Sequence, residues 1–183
     1  NYSIIFTTED DAKGIVLAKD SQGNSVSSGD EFESGSKVTL TAAANEGYSF
    51  DGWYVVNTKV SSNATYEVTL MGDLTFQARF TINEYLLNYS SNDTSKGMVV
   101  SQTTNNSNVE YNKSVTLTAT PVTGYTLDGW YVGNEKVSSE LTYTFTMPAS
   151  EYAVQAKFSI LSFVFGFSAE NGKGTAVCSQ QIS

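Results

Sequence analysis

"GYSFDGWYV" at residues 47–55 and "GYTLDGWYV" at residues 124–132 decide how this sequence is read. Aromatic pairs, an Asp-Gly step and a Trp-Tyr pair are packed into nine residues. Such a run is either an aromatic surface built twice to hold a ligand, or the core of a small module made more than once.

The surroundings of the two runs favour the module. A shift of 77 positions lays "VTLTA" at 38–42 over "VTLTA" at 115–119, Trp53 over Trp130, and "KVSS" at 59–62 over "KVSS" at 136–139. Between Val38 and Thr69, 20 of 32 positions are identical to their counterparts. After one inserted residue the closing segments align too, "FQARF" at 76–80 with "VQAKF" at 154–158. The fronts are looser: "YSIIF" with "KGIVLA" against "YLLNY" with "KGMVV", the first copy being six residues longer before its VTLTA. A third front, "FVFGF" at 163–167 with "GKGTAV" at 172–177, lacks a VTLTA or GWY after it. The period exceeds the 20–50 residues of solenoid repeats, so each unit is expected to carry its own small core. The division is repeat 1 at 1–80, repeat 2 at 81–158, and at 159–183 the first two strands of a truncated third repeat packed on the second.

Each segment alternates with period 2. Val38, Leu40 and Ala42 interleave with Thr39 and Thr41; Tyr66, Val68 and Leu70 do likewise, and Phe76, Ala78 and Phe80 flank Gln77 and Arg79. That is the pattern of half-buried strands, rich in β-branched and aromatic residues, and no long stretch shows helical spacing. Gly47, Asp51-Gly52, Asn57 and Asp73 read as turns between strands. The expectation is all-β: small tandem modules. A repeat of under 80 residues buries only about 60% of its unfolded surface and needs its largest side chain inside. Trp53 and Trp130 are therefore assigned to cores, not to a ligand platform.

Composition excludes several functions. The formal net charge is −9, the wrong sign for nucleic acid or an anionic membrane surface. The absence of histidine removes the commonest general base and metal ligand together. One cysteine, Cys178, cannot form an internal disulfide or a CxxC site and reads as a small buried or frayed-end residue. The run "FSILSFVFGF" at 158–167 is too short to span a bilayer. The chain opens at Asn1 without a basic-then-apolar leader, and it reads as a piece of a longer protein.

Catalysis and metal binding have thin candidates. Asp51, Asp128, Glu9-Asp10-Asp11, and Asp30, Glu31 and Glu33 supply carboxylates such as glycosidases pair. The loops at 9–11 and 30–33 could also offer oxygens to Ca²⁺, though without EF-hand spacing. Asp51 and Asp128 precede Gly, where Asp is favoured for backbone reasons, and the acidic clusters occur only in repeat 1. No catalytic, cofactor-binding or metal residues are assigned. Lys13-Gly14, Lys96-Gly97 and Lys173-Gly174 are read as hairpin turns with a solubilising lysine.

The order Gly–Lys–VTLTA–GYxFxGWYV–KVSS–YxFTM–AKF resembles the divergent internalin-type B-repeat, a module strung in tandem along bacterial surface proteins. The resemblance covers residues 2–80, 81–158 and the front of a third copy. It implies a small β-grasp-like fold (an immunoglobulin-like sandwich being the alternative), an extracellular location, and a non-enzymatic role in adhesion or in spacing other domains from the wall. It implies no catalytic residues. The chain departs from the family after WYV, where Asn57-Thr58 and Asn134-Glu135 stand in place of Asn-Gly, and at Leu127, which replaces an aromatic. The expected function is a stalk or spacer in a monomeric surface segment. The rival is a module binding a host or neighbouring-cell protein or glycan through exposed tyrosines such as Tyr54, Tyr131 or Tyr111. No cofactor, nucleic acid or membrane insertion is expected.

Overall fold

A computed structural model describes residues 1–102 and 106–162. In the first repeat the strands are β1 (Tyr2–Thr8), β2 (Gly14–Asp20), β3 (Ser25–Val26), β4 (Glu31–Phe32), β5 (Lys37–Ala44), β6 (Tyr48–Val55), β7 (Thr58–Ser61), β8 (Thr65–Thr69) and β9 (Leu74–Ile82). In the second they are β10 (Glu84–Ser91), β11 (Gly97–Ser101), β12 (Asn108–Glu110), β13 (Ser114–Pro121), β14 (Tyr125–Val132), β15 (Glu135–Ser138), β16 (Thr142–Thr146) and β17 (Tyr152–Ile160). The described residues contain no helix, and so none that could cross a membrane. The all-β reading holds. The two strands assigned to a truncated third repeat at 159–183 lie almost wholly outside the described residues, as do Cys178 and Lys173-Gly174.

Each repeat splits its strands between two sheets. Repeat 1 has the orders β4-β1-β9-β6-β7 and β3-β2-β5-β8; repeat 2 has β12-β10-β17-β14-β15 and β11-β13-β16. In the larger sheets the first long strand runs parallel to the last, Ile4 beside Leu74 and Leu87 beside Tyr152. All other pairings are antiparallel. The parallel first-and-last pair is the β-grasp-like element. One core lies between the two sheets of each repeat: Ile4, Val38, Leu40, Trp53, Leu70, Phe76 and Ala78 in the first, and Leu87, Val115, Leu117, Trp130, Met147, Val154 and Ala156 in the second. Val38, Leu40, Leu70, Phe76 and Ala78 are inward positions of the alternation read from the sequence, and burial of such residues is the main favourable term of such a fold.

Lys13-Gly14 and Lys96-Gly97 do not close hairpins. β1 and β2 belong to different sheets, so the turn carries the chain from one layer to the other. The glycines answer to a ring instead. A Cβ on Gly14 would lie 2.4 Å from the Phe80 ring, and one on Gly97 2.4 Å from the Phe158 ring. Each lysine pairs with an acid at the turn, Lys13 with Glu9 at 3.3 Å and Lys96 with Asp93 at 3.2 Å.

Candidate functional site

The decisive run is one continuous strand. Asp51-Gly52 is not a turn, because β6 passes through it with a register shift between Phe50 and Gly52 against β9. The same shift falls between Leu127 and Gly129. Asp51 and Asp128 are the extra residues of β-bulges, and a bulge resets which residues face inward. Before it Tyr48 and Phe50 pack on the core; after it Trp53 and Val55 do. The reset explains why aromatic residues crowd the run without strict alternation. Phe50 and Trp53, three apart, meet edge to face with centroids 5.6 Å apart. Gly52 is required because β7 lies so close: a Cβ there would sit 2.8 Å from the Ser61 carbonyl oxygen.

Both tryptophans are fully buried, at 0% exposure. Their indole N–H groups donate to the next hairpin, Trp53 to the Asn63 carbonyl at 3.1 Å and Trp130 to the Glu140 carbonyl at 2.8 Å. A buried indole needs such a partner. The motif is core.

What the bulge turns outward is a polar clip. The Tyr54 hydroxyl donates to Asp51 at 2.5 Å, and the Lys59 ammonium donates to the same carboxylate at 2.8 Å. The Arg79 guanidinium lies 4.1 Å from the Tyr54 ring centroid. In repeat 2 the Tyr131 hydroxyl donates to Asp128 at 2.6 Å, Lys136 stands 3.9 Å from that carboxylate, and Lys157 covers the ring at 4.1 Å. Cation–π contact of this kind stabilises by about 0.5–1 kcal/mol at exposed sites. The hydrogen bond from Lys59, then that from Tyr54, holds the Asp51 carboxyl below its ordinary range. The Asp128 carboxylate pushes the Tyr131 phenol upward, since it accepts from the neutral phenol. These groups are mutually engaged. The ring faces are partly covered by the cations.

Shallow open grooves flank both clips at equivalent places, beside Thr7, Thr75 and Gln77 in repeat 1 and beside Ser90, Ala153 and Gln155 in repeat 2. The tyrosines that the binding alternative needs exposed are half-buried: Tyr54 and Tyr131 under their cations, and Tyr111 against Tyr48 of the first repeat. Among the described residues none of the three rings is in contact with another.

Most of the acidic candidates are engaged by groups of their own repeat. Glu9 accepts from Lys13 and from the Phe80 N–H, Asp10 from the Ala12 N–H at 3.0 Å, and Asp11 from the Thr8 hydroxyl. Asp30 accepts from the Ser27 N–H at 2.7 Å, whereas Glu31 lies on β4 and Glu33 in the following turn. Among the described residues no three Cys, Asp or Glu side chains come together as a metal site would require. Two further carboxylates that the sequence reading passed over have the same office. Asp20 is lowered chiefly by the Asn24 side chain, and Asp93 by the Ser95 hydroxyl; each organises a turn.

Comparison with known proteins agrees with the repeat. A family described as "Divergent InlB B-repeat domain" matches residues 15–84 and 87–161. Among solved structures, the Bacillus anthracis TIE protein is similar at 14% identity and a TM-score of 0.43, over 86% of this chain and 34% of its own. The pilus adhesin SpaC from Lactobacillus rhamnosus GG is similar at 11% and 0.32, over 90% and 32%. The major pilin protein (T-13) from Streptococcus pyogenes is similar at 12% and 0.31, over 86% and 94%. The chain thus spans about a third of the first two proteins.

Proposed function

The chain belongs to the divergent InlB B-repeat family, and from that premise we propose that it is a non-enzymatic stalk segment of a bacterial surface protein, holding a distal domain away from the wall. The units of the stalk are the repeats themselves, 1–80 and 81–158. One observation carries the reading: the aromatic element that recurs in both repeats, the GWY strand, is spent on the core and on a self-satisfied outward clip. A binding module is expected to leave its recurrent polar and aromatic groups open to a ligand. Here the recurrent hydroxyl, carboxylate and ammonium groups face one another. The extracellular setting and the absence of catalysis belong to the same proposal.

The test is replacement in the full-length surface protein. Exchanging residues 1–161 for an unrelated rigid all-β segment of equal length should preserve what the distal domain does. Loss of that activity, restored only by this sequence, would overturn the spacer reading in favour of binding. A glycan and matrix-protein array probed with the isolated chain should give no saturable signal.

A further inference from the structure

We infer that consecutive repeats are locked into one rigid body by a tyrosine key, Tyr111, seated in a glycine socket, Gly47, of the preceding repeat. Covalent units joined in tandem ordinarily move relative to each other unless their interface restrains them. Here the connection has no slack. Asn83 alone separates β9 from β10, so the orientation of one repeat on the other depends on very few backbone angles.

Asn83 is held from both sides. Its N–H donates to the Gly47 carbonyl at 2.8 Å, and its side-chain oxygen accepts from the Ser49 hydroxyl at 2.7 Å, both in repeat 1. Its carbonyl accepts from the Tyr111 N–H at 2.8 Å, and its side-chain amide donates to the Tyr85 hydroxyl at 3.4 Å, both in repeat 2. All four polar groups are divided equally between the repeats.

The ring of Tyr111 completes the lock. It meets Tyr48 edge to face, centroids 6.0 Å apart at 81°, and lies so close to Gly47 that a Cβ there would sit 2.0 Å from the ring. Gly47 also has φ +79°, which glycine adopts without strain. Turn geometry alone would tolerate asparagine at that φ. The close ring is a second and independent demand for glycine, arising in the other repeat. The corresponding residue of repeat 1 is Ser34, 77 positions earlier, so the strand end itself has no structural need of an aromatic. Tyr111 is there for its neighbour. The partner this surface fits is the following repeat, and the inference does not depend on the spacer reading, since a binding segment would be stiffened equally.

Backbone ¹⁵N relaxation on the whole chain tests the lock, because it reports the tumbling of each repeat separately. The wild type should fit one rotational diffusion tensor for both repeats. Tyr111→Ser, which installs the residue repeat 1 already carries, should give two faster, unequal correlation times while the amide spectrum of each repeat stays native. Gly47→Asn, which keeps the positive φ but fills the socket, should do the same, whereas Tyr111→Phe should retain the common tensor. Independent tumbling in the wild type would overturn the inference, as would a common tensor in folded Tyr111→Ser or Gly47→Asn. Loss of a repeat's fold in both would also overturn it, since the contact would then be core and not a lock.

Discussion

The two repeats carry the same strand through different surroundings, and the differences show which parts of it matter. Phe50 becomes Leu127, Phe76 becomes Val154 and Phe32 becomes Val109, so repeat 2 loses three aromatics that pack on the core of repeat 1. It gains two elsewhere: Val68 becomes Phe145 and Leu74 becomes Tyr152, which stack in a row with Tyr143. The aromatic part of the core is thus arranged differently in the two repeats. The bulge, the buried indole and the outward clip do not move. Burial, joined by the Tyr152 hydroxyl, pushes the Tyr143 phenol far above its ordinary range.

The largest effect should come from the tryptophans. Trp53→Ala and Trp130→Ala should each cost about 3–5 kcal/mol, measured by chemical denaturation, as large truncations in cores do. A repeat of this size has little stability to spare. Equal losses would mean the repacked aromatic row in repeat 2 supports its indole as well as Phe50 does. Unequal losses would show that compensation is incomplete.

Next come the glycines under the phenylalanine rings. Gly14→Ala and Gly97→Ala should each destabilise by about 1–3 kcal/mol, because the added carbon overlaps Phe80 or Phe158 and the ring must shift. Coupling Gly14→Ala to Phe80→Leu should recover part of the loss. No recovery would mean the glycine answers to the nearby Ala43 carbonyl instead.

The hairpin turns differ more sharply. Each is two residues long, Val56-Asn57 and Gly133-Asn134, one residue earlier than the Asn57-Thr58 and Asn134-Glu135 steps suggested. The first residue takes φ +58° at Val56 and +59° at Gly133. A β-branched residue in that region is strained, by about 1–2 kcal/mol. Gly133→Val should destabilise repeat 2 by roughly that amount. Val56→Gly should stabilise repeat 1 by less, under about 1 kcal/mol, because glycine's greater freedom in the unfolded chain offsets part of the gain.

The smallest effect concerns the clips. Lys59 lies 2.8 Å from Asp51, and Lys136 lies 3.9 Å from Asp128. Lys59→Met should therefore cost more than Lys136→Met, although with Lys59 37% exposed solvent screening keeps the loss small. The depressed folded pKa of Asp51 adds stability above its ordinary value of 3.8, lost as pH falls through the lower folded value. An acid denaturation series should show repeat 1 weakening in that window, and Lys59→Met should flatten the slope. An unchanged slope would mean the pair is free in solution.

The strands and cores were legible because alternation at Val38–Ala42 or Phe76–Phe80 depends only on neighbours in sequence. The bulge was not. Asp-Gly serves turns and bulges alike, and only the register against β9 distinguishes them. Pairing across long separations was also hidden: nothing near Ile4 announces Leu74 as its parallel partner, and nothing near Gly14 announces Phe80. Whether Tyr54, Tyr131 and Tyr111 are exposed was not legible either, because the cations and the neighbouring tyrosine that cover them come from other strands. Val56 carries no local sign of its positive φ.

The GWY motif is core and not a ligand platform, and native-state fluorescence quenching tests this most directly. Trp53 and Trp130 are the only indoles in the chain, so the emission belongs to the motif alone. With both fully buried, the native protein should emit at short wavelength and resist acrylamide, becoming red-shifted and quenchable only on unfolding. Efficient quenching of the folded protein, or protection that appears only when a glycan or host protein is added, would contradict the account.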